Sequence, residues 1–310
     1  MNVKNIRKIK EDFENGAIPK AEYIDAMYQN HDRLFEYADF IRDTDISKIE
    51  ITDGSLIMTS RSAGIRMLCA EGDKRIAPIE ILNFGSYEKN ELDFILKLLD
   101  DNYTVLDVGA NFGWYSLYIA KFFPNSKVYA FEPIPHTFSY LRKNIALNES
   151  SNIIINDFGF SDENKEIPFY YYPGGSVNAS AANLTNADSV QKITGTVKKM
   201  DDYVEDNKLE LDFIKCDIEG AELLAFRGGL NVITKFKPII FTEMLRKWSE
   251  KFNYHPNDII KFFADIGYDC YVNEGDFLKL FARMDDLTKE TNFFFLHRDK
   301  HKEKIKRFVR

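Results

Sequence analysis

Thr104-Val-Leu-Asp-Val-Gly-Ala-Asn-Phe-Gly-Trp-Tyr-Ser116 is the stretch whose reading decides the fold. Its apolar run, Val105, Leu106 and Val108, carries one acid, Asp107, and ends at Gly109. Gly113 follows, and the pattern then turns amphipathic through Leu117, Tyr118 and Ala120. A short apolar run, a glycine turn and a change of period predict a strand, a tight loop and a helix start. Gly109 can adopt a backbone conformation closed to other residues, and the first N–H groups of a helix have no partner within it. The loop therefore reads as a cradle for a ligand.

Working outward, strands and helices alternate. Strands are expected at 104–108, 127–131, 152–156, 212–216 and 238–242, with helices near 114–123, 135–147, 220–227 and 256–266. Such alternation implies right-handed crossovers and a mostly parallel sheet covered by helices on both faces. Beyond Gly267, the runs at 269–272 and 292–296 read as a closing antiparallel pair. The expectation is an α/β, Rossmann-like domain over 86–298.

Upstream, residues 1–45 are charged and rich in helix formers. Tyr23, Ile24, Met27, Tyr28, Leu34, Tyr37, Ala38 and Ile41 recur at helical spacing, so a helical arm is expected, either packed on the domain or available for self-association. Residues 46–85 change to alternation punctuated by Asp53-Gly54, Gly64 and Gly72-Asp73, which predicts a small antiparallel β region, with 79–84 as one of its strands. A helix carrying Leu92, Ile95, Leu96 and Leu99 follows, with Glu88 at its start as either a first-turn acid or a ligand contact. After the domain, 299–310 reads as a basic, solvated helical tail; from Arg298 to Arg310 there are seven Lys or Arg against two acids.

Composition narrows the function classes. A net charge of -8 argues against a general nucleic-acid binder. No window approaches the roughly 18 apolar residues of a membrane span, and 1–14 lack the apolar core of a signal peptide, so a cytoplasmic location is expected. The three cysteines, Cys69, Cys216 and Cys270, lie too far apart to suggest a disulfide framework or a structural zinc site.

In such a sheet the ligand crevice lies beyond the carboxyl ends of the strands, and acids stand there repeatedly. Asp107 precedes the glycine loop, where a carboxylate repels a pyrophosphate but attracts an ammonium. Glu132, in Phe131-Glu-Pro133, suits the two hydroxyls of a ribose. Asp157 and Phe158 are placed to meet an adenine by a polar and an apolar contact. A dinucleotide oxidoreductase would want Gly-x-Gly-x-x-Gly in the first loop; here Asn111 stands between Gly109 and Gly113. Adenosine with a charged methionine tail fits this set better than a nicotinamide dinucleotide.

Val105-Leu-Asp-Val-Gly-Ala-Asn-Phe-Gly113, Phe131-Glu-Pro133, Lys215-Cys-Asp-Ile-Glu-Gly-Ala-Glu222 and Phe241-Thr-Glu243 together resemble the FkbM-type S-adenosylmethionine-dependent methyltransferases. The Asp-Ile-Glu-Gly-x-Glu segment is the distinctive piece; the glycine loop marks the wider class I methyltransferase fold. Tyr87-Glu88 also looks like a pair that commonly precedes this family's first domain helix. The resemblance implies S-adenosylmethionine as cofactor, with Asp107, Gly109, Asn111 and Gly113 around its methionine part, Glu132 on the ribose, and Asp157 with Phe158 near the adenine. It implies O-methylation of a hydroxyl on a sugar, polyketide or related metabolite. The acceptor expected here is a sugar or nucleotide-activated sugar; a nicotinamide oxidoreductase and a non-catalytic binding protein of this fold are the alternatives.

Asp217, Glu219 and Glu243 are the candidate catalytic residues. They read either as a base whose pKa is raised by like-charged neighbours or as oxygen ligands for Mg2+ or Ca2+ holding a diol, and no resident metal is expected. Glu222 reads as a first-turn acid of the next helix. His136 reads as a solvated first-turn residue or a proton acceptor. On the acceptor side, the aromatic and small polar stretch from Phe169 suggests Tyr171, Tyr172 and Ser176 for stacking on a sugar and bonding its hydroxyls, with His255 approaching from a later helix start.

Overall fold

The computed structural model describes residues 5–171, 180–182 and 190–310. An arm of α1 (Ile6–Glu14), α2 (Lys20–His31) and α3 (Arg33–Phe40) leads into an antiparallel meander of β1 (Ile46–Thr52), β2 (Ser55–Ser60) and β3 (Arg66–Cys69). Then come α4 (Ala77–Phe84), α5 (Lys89–Leu98), β4 (Thr104–Val108), α6 (Trp114–Phe122), β5 (Lys127–Phe131), α7 (Pro135–Leu147) and β6 (Ile153–Asn156). A small sheet follows, of β7 (Gly159–Phe160), β8 (Lys165–Tyr171) and β9 (Gln191–Lys198). The chain continues through α8 (Met200–Asp206), β10 (Phe213–Cys216), α9 (Glu222–Arg227), α10 (Leu230–Phe236) and β11 (Ile239–Glu243). It closes with α11 (Arg246–Ser249), α12 (Pro256–Asp265), β12 (Tyr268–Asn273), β13 (Leu278–Leu280), β14 (Asn292–His297) and α13 (Lys302–Phe308).

The central sheet has the order β13-β12-β14-β11-β10-β4-β5-β6. From β6 to β11 the pairs are parallel, while β14 joins β11 antiparallel, as the closing pair in the sequence predicts. β4 pairs with β5 on one side and β10 on the other, so the chain reverses direction across the sheet at β4 and opens a crevice at the carboxyl ends of β4 and β10.

Strand alternation distributes the core over two faces. Val105, Val128, Phe213 and Phe241 pack with α5, α6 and the meander through Phe94, Leu117 and Met67. Leu106, Val108, Ile214 and Cys216 pack with α8, α9 and α12 through Met200, Phe226 and Phe263. α6 is buried from Trp114 to Ala120 because the sheet covers one side and the meander the other. Asn144 of α7 and Asn148, which caps that helix, join the meander to the domain: Asn148 accepts from the Arg66 N–H (2.9 Å) and donates to its carbonyl (2.7 Å), while Asn144 accepts from Leu68 N–H (2.9 Å) and donates to the Phe112 carbonyl (2.9 Å).

Two expectations are corrected. Residues 79–84 are helical, not a strand: Pro78 sits in the first turn of α4 and Gly85, at φ 86°, ends it, while Ala77, Ile81 and Leu82 bury one face. The basic tail is helical but docked. Phe308 packs edge-on against Phe94 (centroids 5.6 Å apart), and the Arg310 N–H donates to the Leu278 carbonyl at 3.0 Å. In the arm, Ile9 is buried and Phe13 stacks on Tyr23, yet α2 and α3 contain no buried residue. Among the described residues no helix is long and apolar enough to cross a membrane.

Candidate functional site

A cavity of about 290 Å3 opens at the switch point. Its floor is the loop after β4. Gly109 has φ 77°, and a Cβ there would stand 1.9 Å from the Asp217 carbonyl oxygen, so only glycine lets the β4 and β10 loops approach this closely. Asn111, at φ 50°, occupies the left-handed region that asparagine tolerates, and its side-chain oxygen accepts from the Phe112 N–H at 2.8 Å. At Gly113, φ 93°, a Cβ would meet Leu141 at 2.8 Å, so this glycine lets α6 lie against α7.

Glu132 follows β5 and reaches the same loop. Its two carboxylate oxygens accept from the Asn111 N–H (3.0 Å) and the Ile134 N–H (2.9 Å), leaving lone pairs for a further partner on each. Burial pushes its pKa up to about 7, against the pull of those two hydrogen bonds and of the Lys215 charge.

Opposite stand the ends of β10 and β11. Asp217, Glu219 and Glu243 bring carboxylate oxygens within 4.8 Å of one another, a spacing that suits either a shared proton or a cation. Burial, and then the Asp217 charge, pushes Glu243 up to about 9 and Glu219 well above the usual carboxylate range. Glu219 has φ 56°, and the turn behind it is held by Glu222, which accepts from the Ile218 and Gly220 N–H groups (both 3.0 Å) and from the Tyr254 hydroxyl (3.2 Å). Glu222 is thus a buried brace for the turn. Gly220, at φ 102°, lets that turn pass the Trp248 backbone, which a Cβ would meet at 2.7 Å.

The remaining wall is aromatic, with Tyr87, Trp114 and Trp248, and the meander side contributes Met67 and Arg75. Glu88 also lines it, in the left-handed region at φ 43°, accepting from the Tyr115 hydroxyl at 2.5 Å. Burial pushes Glu88 up to about 7, opposed by that hydrogen bond.

Several expected contacts lie elsewhere. Asp107 is fully buried and lines no part of the cavity: strand parity turns it toward α6, where the Ser116 hydroxyl donates to it at 2.6 Å and the Lys215 ammonium lies 3.3 Å away. Asp157 is exposed at the surface, and Phe158 packs among Phe131, Phe160 and Tyr203 under the Lys198 ammonium. The cavity residues nearest in sequence to those two are instead Pro133, Ile134 and Phe169. Tyr171 is buried with Ile134, Phe169 and Val197, away from the opening. His255 is an exposed N-cap of α12, its ring accepting from the Asn257 N–H at 3.1 Å. His136 is exposed, beside Tyr140 and Tyr171. Tyr172 and Ser176 fall outside the described residues.

Sequence reasoning missed Lys215. It donates to the Gly109 carbonyl at 2.7 Å and stands 3.3 Å from Asp107 and 3.8 Å from Asp217, cross-linking the loops of β4 and β10. Burial opposes its charge, but the acids Asp107, Asp217 and Glu88 outweigh that and hold its pKa above the ordinary lysine value. A lysine inside an otherwise apolar strand, Phe213-Ile-Lys-Cys216, was the available signal. Met67 and Arg75 were also missed, since nothing local in their sequence places the meander against the crevice.

Residues 107–270 match the model of the Methyltransferase FkbM domain, just over half of the chain. Methyltransferase 1 of Beauveria bassiana is 28% identical over 147 residues, covering 42% of this chain and 59% of that protein. Methyltransferase sdnD of Sordaria araneosa is 29% identical over 187 residues, covering 47% of this chain and 72% of that one. The hexuronic acid methyltransferase AglP of Haloferax volcanii is 24% identical over 154 residues, 49% of this chain and 61% of that protein. A solved FkbM methyltransferase from Methylobacillus flagellatus superposes with a TM-score of 0.43 at 19% identity, covering 67% of this chain and 47% of that one. On the match over residues 107–270, this chain belongs to the FkbM family of S-adenosylmethionine-dependent methyltransferases.

Proposed function

We propose that the protein methylates a hydroxyl group of a small polar metabolite, a sugar or nucleotide-activated sugar, using S-adenosylmethionine. The observation that carries this reading is one cavity in which a glycine-floored cradle faces three carboxylates, Asp217, Glu219 and Glu243, between aromatic walls.

The residues present fit the cofactor. Glu132 offers free lone pairs to a ribose diol, the Gly109 floor admits close approach, and the acids of the opposite wall favour a cationic centre. S-adenosylmethionine supplies an electrophilic methyl group on a positively charged sulfur. The chain's own contribution is to orient the acceptor hydroxyl and to take its proton, a task for a carboxylate at hydrogen-bond distance whose pKa is near the working pH. Glu243 is assigned this role, with Glu219 beside it and Asp217 raising both. Tyr87 and Trp248 provide apolar faces of the kind on which sugar rings stack. The hexuronic acid methyltransferase among the relatives supports a carbohydrate acceptor.

The test is a panel of sugars, nucleotide sugars and matched amines, scored by S-adenosylhomocysteine release with and without a chelator. Release with a hydroxyl acceptor, unchanged by chelation, is the expected result. Turnover of amines alone would overturn hydroxyl transfer. Loss on chelation, restored by Mg2+ or Ca2+, would assign the three carboxylates to a cation instead.

A further inference from the structure

We infer that the acceptor carries an anionic group, a carboxylate or a phosphate, and that Arg75 receives it at the mouth of the cavity while the reacting hydroxyl lies deeper, beside Glu243. The inference rests on the function proposed above and narrows its substrate class. Among the described residues the cavity is lined by five acids, Glu88, Glu132, Asp217, Glu219 and Glu243, and by two cations, Lys215 and Arg75. The Lys215 side chain is 4% exposed and its donors are committed, to Asp107, Asp217 and the Gly109 carbonyl. Arg75 is the opposite case: its side chain is 58% exposed although it lines the same cavity, which places it at the opening. An acidic group drawn into the depth would meet carboxylates, and at Arg75 it finds a cation.

The guanidinium is held by one edge only. Its Nε donates to Glu80 at 2.6 Å, and the Arg75 main-chain N–H donates to Asp73 at 3.0 Å, so both the stem and the head of the residue are fixed. Glu80 is buried in α4, and its charge is felt at Tyr87, whose hydroxyl is pushed well above its ordinary pKa by burial and then by Glu88, Asp217, Glu243 and Glu80. The Glu80 carboxylate, and with it the guanidinium it holds, therefore lies by the Tyr87 wall rather than out over the meander.

Both Nη groups of Arg75 are without a hydrogen-bond partner among the described residues, which leaves their donors open. Neutralising a buried Glu80 accounts for the Nε bond. It does not account for an outer edge left open at the mouth of a ligand cavity. That edge matches two oxygens of a carboxylate or phosphate, a geometry that a lysine could not reproduce. The cavity thus makes opposite demands at its two sides: the ends of β10 and β11 take a hydroxyl and its proton, and the Arg75 side takes an anion. A neutral sugar would meet only the first.

The experiment is S-adenosylhomocysteine release by the full chain with matched acceptors: glucose, galactose and mannose, each beside its uronic acid, its 1-phosphate and its nucleoside-diphosphate form. Acidic members should exceed their neutral counterparts about ten-fold or more in kcat/KM, chiefly through KM, as expected for a charge-assisted contact. Whether the uronic acids or the phosphorylated forms lead identifies the anion. In Arg75→Gln the advantage should fall to about two-fold, and in Arg75→Lys, which keeps the charge but loses the fork, it should lie between the two. Calorimetry with S-adenosylhomocysteine reports that each variant is folded. The wild-type comparison needs no variant, so an Arg75→Gln chain that fails to fold leaves the inference exposed to refutation. If wild type turns over neutral members as well as acidic ones, or better, or if folded Arg75→Gln keeps the full advantage, the inference is wrong and the function proposed above stands. If no hydroxyl acceptor of any charge is turned over, that function falls and this inference falls with it.

Discussion

Lys215 has almost no access to water, so its charge exists only because Asp107 and Asp217 answer it. Removing one partner of a buried pair leaves an uncompensated charge, at a cost of about 3–5 kcal/mol. Asp107→Asn is therefore expected to lower the melting temperature sharply, and a double variant Asp107→Asn, Lys215→Met to recover part of the loss. Both are read by thermal unfolding. As the proposed base, Glu243 should set the pH behaviour of turnover. Its pKa is raised, to about 9, and a base acts only when unprotonated, so kcat/KM should climb as pH rises from 7 toward 9 and level off above it. In Glu243→Gln that limb should vanish, with kcat lower by about 100-fold or more. At this scale the sequence shows which residues follow strands, and so Gly109, Asn111, Glu132, Asp217, Glu219 and Glu243 are found at the crevice. It does not show which face a strand residue takes, and Asp107, two positions before Gly109, is turned by strand parity toward α6 and away from the crevice.

Elements carry the next level of information. Long periodic segments such as α7 are legible because thirteen residues sample the helical period several times. The short run Ile79-Glu-Ile-Leu-Asn-Phe84 is not, since six residues fit either period, and Pro78 with Gly85 decided it. α13 teaches the same lesson from its other end: a basic composition hides one docking residue, Phe308, whose ring is buried against Phe94. Phe308→Ala should destabilise the chain by about 3 kcal/mol, toward the low end for a buried aromatic because its site is at the edge of the core. The denaturation midpoint measures this, and the slope of the transition should stay the same if only packing is lost.

For the whole molecule, the alternation of strands and helices makes the sheet legible, whereas the position of the meander depends on contacts far apart in sequence. Met67 and Arg75 enter the cavity wall from the side of β3, which Asn144 and Asn148 hold against the domain. The arm is the least integrated part: α2 and α3 bury no residue, and Tyr28, Leu34 and Phe35 are each more than half exposed. We propose that this surface is used for self-association. A chain lacking residues 1–40 should sediment as a smaller species than the full chain while keeping its S-adenosylhomocysteine affinity within about two-fold. Identical sedimentation of the two would remove the arm from any assembly.

The amides of Asn144 and Asn148 have a further consequence. Among the described residues β3 pairs with β2 on one side only, and its other side carries main-chain donors and acceptors that an unguarded strand would offer to any extended peptide. Two side chains, one in α7 and one at its C-cap, occupy those groups in the manner of a neighbouring strand, at Arg66 and Leu68. The protein thus closes a template for aggregation without adding a strand, and Asn144 in addition donates to the Phe112 carbonyl in the loop beside the cavity. One side chain, Asn144, therefore both covers a strand edge and holds the loop beside the cavity.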